Sequence, residues 1–145
     1  MKKNLIVTLI ILVFIALFIG GTYMFSRIEG SLEIKAIAAS INNGKGSFKL
    51  SNKSKDIYMY NSEYKLELLL DGIWADIPYV VEYPLFTSEA ILIRPQTTID
   101  IMIEWRGYYG ELSAGEYRIV KKLYKKLTDY KHGDPLILYA QFTIS

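Results

Sequence analysis

The sequence predicts an all-β fold: an antiparallel β-sandwich of about seven strands behind one N-terminal transmembrane helix. Three observations predict it. Leu5 to Phe25 is an uncharged, almost wholly apolar run that follows Lys2 and Lys3. From Ser31 onward, apolar residues recur with period 2 between clusters of Gly, Asn, Ser, Asp and Pro, the pattern of half-buried strands and their turns. Toward the C-terminus, Tyr109-Gly-Glu-Leu-Ser-Ala-Gly-Glu-Tyr-Arg-Ile-Val-Lys121 reads as a corner between sheets followed by an alternating strand. The resulting organisation is an anchor over residues 1–26, a short linker over 27–31 and a sandwich domain over 32–145.

At about 1.5 Å per residue, Leu5 to Phe25 spans roughly 31 Å, the thickness of a bilayer's hydrocarbon. Lys2 and Lys3 favour a cytoplasmic N-terminus, and Tyr23 suits the far interface. The run continues through Tyr23-Met-Phe25 with no small-x-small site after it, so an uncleaved single-pass anchor is favoured over a cleaved signal peptide. A buried core helix of this length without one charge is the poorest of the three readings. Residues 5–25 therefore contact membrane lipid, and the domain after Arg27 lies on the extracytoplasmic side, close to the membrane.

The strands follow in order. Leu32, Ile34, Ala36 and Ala38 alternate with Glu33 and Lys35, and Asn42-Asn-Gly-Lys-Gly46 turns the chain. Phe48 and Leu50 face inward on a second strand, and Tyr58 with Tyr60 marks a short third one. Tyr64, Leu66, Leu68 and Leu70 lead into Asp71-Gly72, a strong hairpin signal because both turn positions need positive φ. Trp74 and Ile77 open the return arm, which stops at Pro78. Residues 79–95 read as a long irregular crossing with at most a short strand at Ile91-Leu-Ile93. Ile99, Ile101, Ile103 and Trp105 alternate into the corner. Lys125 to Pro135 reads as a polar loop, with residues 121–130 able to form one helical turn. Leu138, Ala140, Phe142 and Ile144 then share one face of a closing strand.

In sandwiches of immunoglobulin type, a Tyr near the start of the penultimate strand returns its hydroxyl to backbone just upstream. Leu112, Gly115 and Tyr117 have the composition of such a structural corner: Leu112 plugs the end of the core, Gly115 turns without a Cβ, and Tyr117 buries its ring. An ordinary hairpin that happens to carry a Tyr is the alternative.

Beyond these patterns, the series Tyr58-x-Tyr60, Tyr64-x-Leu66-Glu67, Asp71-Gly-x-Trp74, Ile77-Pro78, Ile103-x-Trp105, Tyr109-Gly110-x-Leu112, Gly115-Glu-Tyr117-Arg-Ile-Val-Lys121 and Phe142-Thr-Ile144 resembles a bacterial immunoglobulin-like domain family. That family occurs in secreted, lipid-anchored and membrane-anchored proteins, mainly of Gram-positive bacteria. The resemblance covers about residue 32 to the C-terminus. It implies an Ig-like sandwich without established catalytic residues. The chain departs from the pattern by lacking a lipid-attachment cysteine and between Tyr79 and Ala90.

Composition narrows the chemistry. The absence of cysteine excludes disulfides, thiolate metal sites and thiol nucleophiles. Lys2 and Lys3 account for the whole net charge of +2, so the domain itself is formally neutral, against nucleic-acid binding. Lys121, Lys122, Lys125 and Lys126 read as a solvated strand end. His132, the one histidine, has no second histidine or cysteine to share a metal or triad and reads as an exposed loop residue. Acidic pairs such as Asp71/Asp76 and Glu111/Glu116 lack the dense oxygen spacing of a calcium loop. Gly44-Lys-Gly46 is too short for a phosphate loop. No catalytic residue, metal ligand or cofactor site is therefore expected.

The aromatics remain. Among 12 tyrosines, Tyr108, Tyr109 and Tyr130 are candidate partner-binding residues, because exposed rings supply rigid contact area for protein or glycan. The competing reading has such rings closing the ends of the sandwich. The expected function is a membrane-anchored binding module of the envelope. The alternatives are a structural subunit recognised through its transmembrane helix, or an envelope enzyme or enzyme inhibitor.

Overall fold

The computed structural model describes residues 31–145, within which Leu32–Ser145 forms one compact unit. The expected anchor, Leu5 to Phe25, lies outside the described residues. Among those residues no helix is long and apolar enough to cross a membrane. The alternating segments become nine strands: β1 (Leu32–Ala36), β2 (Lys45–Asn52), β3 (Tyr58–Tyr60), β4 (Lys65–Leu70), β5 (Ile73–Asp76), β6 (Ile91–Ile93), β7 (Thr97–Glu104), β8 (Gly115–Lys126) and β9 (His132–Ile144). All pair antiparallel, in an all-β arrangement consistent with an Ig-like sandwich.

The smaller sheet has the order β1-β2-β7, and the larger runs β5-β4-β8-β3-β6 with β9 on the remaining edge of β8. Inward residues of the two sheets meet around Phe142, whose ring stacks on Trp105 (centroids 5.1 Å apart) and Tyr117 (5.7 Å) and meets the edge of Phe48 (5.9 Å). Trp105 is fully buried and donates its indole N–H to Asn43 O (2.8 Å). Phe48, Leu50, Leu66, Ile119 and Leu123 complete the interior. Burial of such side chains contributes roughly 1.5–3 kcal/mol each, which makes this layer the main source of stability.

The structure departs from expectation in three places. The nine strands exceed the seven expected because the short segments Tyr58–Tyr60 and Ile91–Ile93 both pair as strands. β3 and β4 share one edge of β8, with Met59 opposite Tyr124 and Lys65 opposite Val120. The chain therefore spends two residues more than β8 does over that distance, and the excess bulges at 61–64. Second, the polar stretch from Lys125 to Pro135 is a loop only over 127–131, and 121–130 makes no helical turn. β8 and β9 pair as far as Lys126 and His132, with a bulge near Tyr124. Their polar side chains lie on the exposed face, and Pro135 is tolerated because β9 is an edge strand that needs no outward N–H. Third, Arg106–Tyr109 forms a single helical turn, α1, between β7 and the corner. Gly110 ends it at φ 75°, a conformation open to glycine.

Asp71 and Gly72 adopt φ of 51° and 80° between β4 and β5, the backbone that a two-residue hairpin turn demands.

Candidate functional site

The smaller sheet stops at β7, which pairs only with β2. In place of a further strand, the chain from Ile77 to Ala90 crosses irregularly from β5 to β6. The hydroxyls of Tyr79 and Tyr108 hold it there, and that of Tyr64 ties the bulge before β4 to β7. Tyr79 donates to Tyr64 O (3.3 Å), Tyr64 to Glu104 O (2.9 Å), and Tyr108 to Leu85 O. Leu66 N–H donates to the Tyr109 hydroxyl (3.2 Å), and Val80 N–H to Tyr108 O (2.7 Å). The rings pack on one another and on Phe86, with Tyr79–Tyr109 centroids 4.8 Å apart and Phe86–Tyr108 5.0 Å. Each phenol thus covers apolar area while satisfying a backbone group that no ladder reaches. Burial pushes the Tyr64 and Tyr109 phenols well above the ordinary tyrosine range.

Between this crossing, the bulge at 61–64 and β7 lies an open cleft of about 490 Å³. Tyr60, Phe86, Ile101 and Ile103 form its apolar walls, and Leu85 and Met102, 81% and 70% exposed, stand at its rim. Lys121 also lines it. Lys121 follows Tyr117 and Ile119 on the inward face of β8 and is only 2% exposed. Its ammonium donates to Asn61 O (2.5 Å) and Glu63 O (2.8 Å), holding the bulge closed, and lies 5.1 Å from the centre of the Tyr60 ring. Burial lowers its pKa to about 8, against a smaller opposing pull from Glu63. No carboxylate of the described residues forms an ion pair with it; Glu63 is 4.0 Å from Lys122 instead.

The structure separates the three candidate tyrosines. Tyr108 is half-buried and lines the cleft. Tyr109 is 6% exposed and belongs to the core, so its ring is not available for direct contact. Tyr130 is 97% exposed at the β8–β9 hairpin, on a different part of the surface. At the corner, Leu112 and Tyr117 are buried, Tyr117 donates its hydroxyl to Ser113 O (2.9 Å), and Gly115 packs where a Cβ would press on Leu68 and the Tyr117 ring.

Sequence reasoning placed Lys121 in a solvated patch with Lys122, Lys125 and Lys126, and the structure corrects this. The overlooked signal was its position in the period-2 row Tyr117, Ile119, Lys121, Leu123, every other member of which is buried. Phe86 and Leu85 were overlooked because the crossing has no periodicity. His132 is exposed and packs edge-on to Tyr124 (4.8 Å). Among the described residues, no group of three or more His, Asp or Glu side chains is placed to hold a metal ion. On the outer face of the larger sheet, Arg118 lies between Trp74 (4.6 Å) and Tyr139 (4.2 Å) and pairs with Glu67, an arrangement that uses its charge internally.

A sandwich with a tyrosine corner defines a class, and the sequence places the chain within it. Residues 27–135 match the bacterial Ig-like domain family, and the chain belongs to that family. No curated protein matches the chain. Similar solved structures include the alkylpurine DNA glycosylase AlkC of Pseudomonas fluorescens, bound to DNA containing an abasic site analog, at 14% identity and a TM-score of 0.38. That match covers 79% of this chain and 30% of the glycosylase, so the chain spans under a third of that protein. Another is the archaellum periplasmic stator protein FlaG of Sulfolobus acidocaldarius, at 14% identity and a TM-score of 0.41, covering 77% of this chain and 99% of that one. Likenesses this low carry no functional argument.

Proposed function

We propose that the protein is a membrane-anchored interaction module of the bacterial envelope, held by Leu5–Phe25 with its sandwich on the extracytoplasmic side, and that it binds an envelope partner without catalysing a reaction. The observation that carries this reading is the cleft beside β7: an open, apolar-rimmed concavity in a domain of an Ig-like family. Its polar groups are already engaged. Tyr64 and Tyr108 donate to backbone, and Ser62 accepts from Thr87 N–H (2.7 Å). This arrangement supports recognition better than nucleophilic chemistry.

Two experiments test the reading. The chain has no cysteine, so Tyr130→Cys introduces a unique thiol at an exposed hairpin. Labelling of that variant by a membrane-impermeant maleimide in intact cells is expected; labelling only after lysis would place the domain on the cytoplasmic side. Exchange of Leu5–Phe25 for an unrelated apolar helix is expected to leave partner capture intact. Loss of capture on that exchange would instead support a subunit recognised through its membrane segment.

A further inference from the structure

The cleft holds two features that a closed sandwich would not leave. The first is an unpaired sheet edge. Trp105 N–H donates to Gly44 O (2.9 Å), which fixes which residues of β7 bond to β2. By antiparallel alternation, the backbone N–H and C=O groups of Thr98, Asp100 and Met102 then point away from β2, along the free edge. Glu104 O also points that way, where it accepts the Tyr64 hydroxyl. No described strand takes up the others. The second feature is Lys121, the only charged side chain buried among the described residues, with two of its three protons on carbonyls and no carboxylate in ion-pair contact, since Glu63 pairs with Lys122 instead. Buried charges are ordinarily paired.

Charge distinguishes the occupants. A second copy added antiparallel to β7 would turn its own Ile99, Ile101 and Ile103 inward in every register that keeps the edge bonds, and so would bring no carboxylate to Lys121. Asp100 is already bonded to Lys49 (2.9 Å), so a foreign strand with a basic residue on its outward face meets Glu104, and an acidic residue on its inward face meets Lys121. Leu85 and Met102, exposed at the rim, offer apolar cover on either side.

We propose that the free edge of β7 accepts an extended segment of a partner protein as an added strand, with an inward carboxylate of that segment paired to Lys121 and an outward basic side chain facing Glu104. Main-chain hydrogen bonds supply affinity in such strand addition, and alternate side chains supply specificity. This inference deepens the interaction-module reading and rests on it.

The test uses the full chain in detergent micelles and a synthetic library of peptides of about six residues, an ordinary strand length. Their outward positions are lysine, and their inward positions are drawn from Val, Leu, Glu, Gln and Lys. Fluorescence anisotropy gives each Kd. Selection of a peptide with one inward Glu is expected, with binding at least about tenfold weaker when that Glu becomes Gln, or when Lys121→Met removes the cation. N-methylation of alternate peptide amides is expected to abolish binding. So is Met102→Pro, which removes an outward N–H while leaving the bonds to β2 in place.

Several results would overturn the proposal. These are selection without preference for an inward acid, binding that survives both N-methylation and Met102→Pro, or no binding at millimolar peptide. Octanoate that binds as tightly as the peptide would assign the cleft to a small aliphatic acid instead. Self-association abolished by Met102→Pro, with no peptide bound, would assign the edge to a second copy. Partner capture in the anchor-exchange experiment that persists in Met102→Pro would leave the module reading standing while removing strand addition.

Discussion

Lys121 gives the domain an unusual dependence of stability on pH. Its ammonium is buried under the bulge at 61–64 and its pKa is lowered to about 8, from 10.5 in the open chain. Below about pH 8 both folded and unfolded chains carry the proton, and the full penalty of burying the charge is present. Between about pH 8 and 10.5 the unfolded chain holds a proton that the folded chain has released, so stability rises with pH. The groups facing the ammonium are Tyr60, Glu63 and the two carbonyls; Glu63 opposes the shift without reversing it. Integrated from pH 7 to pH 9, the shift is worth about 1 kcal/mol. The tyrosines act in the opposite sense at higher pH. Burial raises the phenols of Tyr58, Tyr60, Tyr64, Tyr109 and Tyr117. Above about pH 10 the unfolded chain therefore loses protons that the folded chain keeps, and stability falls. The expected profile climbs from pH 7, turns over between about pH 9 and 10, and then declines. Urea unfolding of residues 27–145, followed by the fluorescence of Trp74 and Trp105, measures it. In Lys121→Met the climb should vanish while the decline persists. A flat wild-type profile between pH 7 and 9, or an unchanged climb in Lys121→Met, would refute the buried-ammonium argument.

Three further predictions concern the scaffold. Tyr117→Phe removes the hydroxyl bonded to Ser113 O and should lower stability by about 1 kcal/mol, read as a shift in the urea midpoint without a change in slope. Gly46→Ala should destabilise by roughly 1–3 kcal/mol, because a Cβ there lies 3.0 Å from the fixed Trp105 ring and overlaps Ile41. Tyr108→Phe frees the crossing at Leu85; hydrogen exchange at 80–87 should quicken markedly while the global midpoint moves by less than about 1 kcal/mol.

Much of the fold is legible because burial imposes a period on the strands. Ile99, Ile101 and Ile103 alternate in the sequence and face inward on β7, and Phe142 and Ile144 do the same on β9. Asp71-Gly72 announces its hairpin because few other residues take positive φ. Legibility fails where one strand face is solvated along its whole length. Lys125 to Pro135 reads as a loop, yet most of it is hairpin, since an exposed edge strand needs no apolar rhythm. It fails again at the cleft. Asn61, Ser62 and Glu63 look like a turn, and nothing local signals that the strand resumes beside β8 after two extra residues. Lys121 shows why composition misleads there: three neighbouring lysines are solvated, and only its place in the row of Tyr117 and Ile119 marks it as inward.

The tyrosines and the open edge have a common origin in the missing strand beside β7. A paired strand would supply two backbone bonds for every second residue; the crossing from Ile77 to Ala90 instead relies on single bonds, the Tyr108 hydroxyl to Leu85 O, Val80 N–H to Tyr108 O, and its own Tyr79 hydroxyl to Tyr64 O. Rings spaced in this way fasten the chain at points and leave intervening residues such as Tyr83 exposed. They also keep the crossing off β7, so that Ile99 and Ile101 stay only half covered while Ile103, nearer the pinned end, is buried. A crossing pinned in this manner can shift by breaking one bond at a time, unlike a ladder, which opens cooperatively. The abundance of tyrosine is thus accounted for by scaffold first, and the surface that scaffold leaves open is the one from which recognition is to be sought.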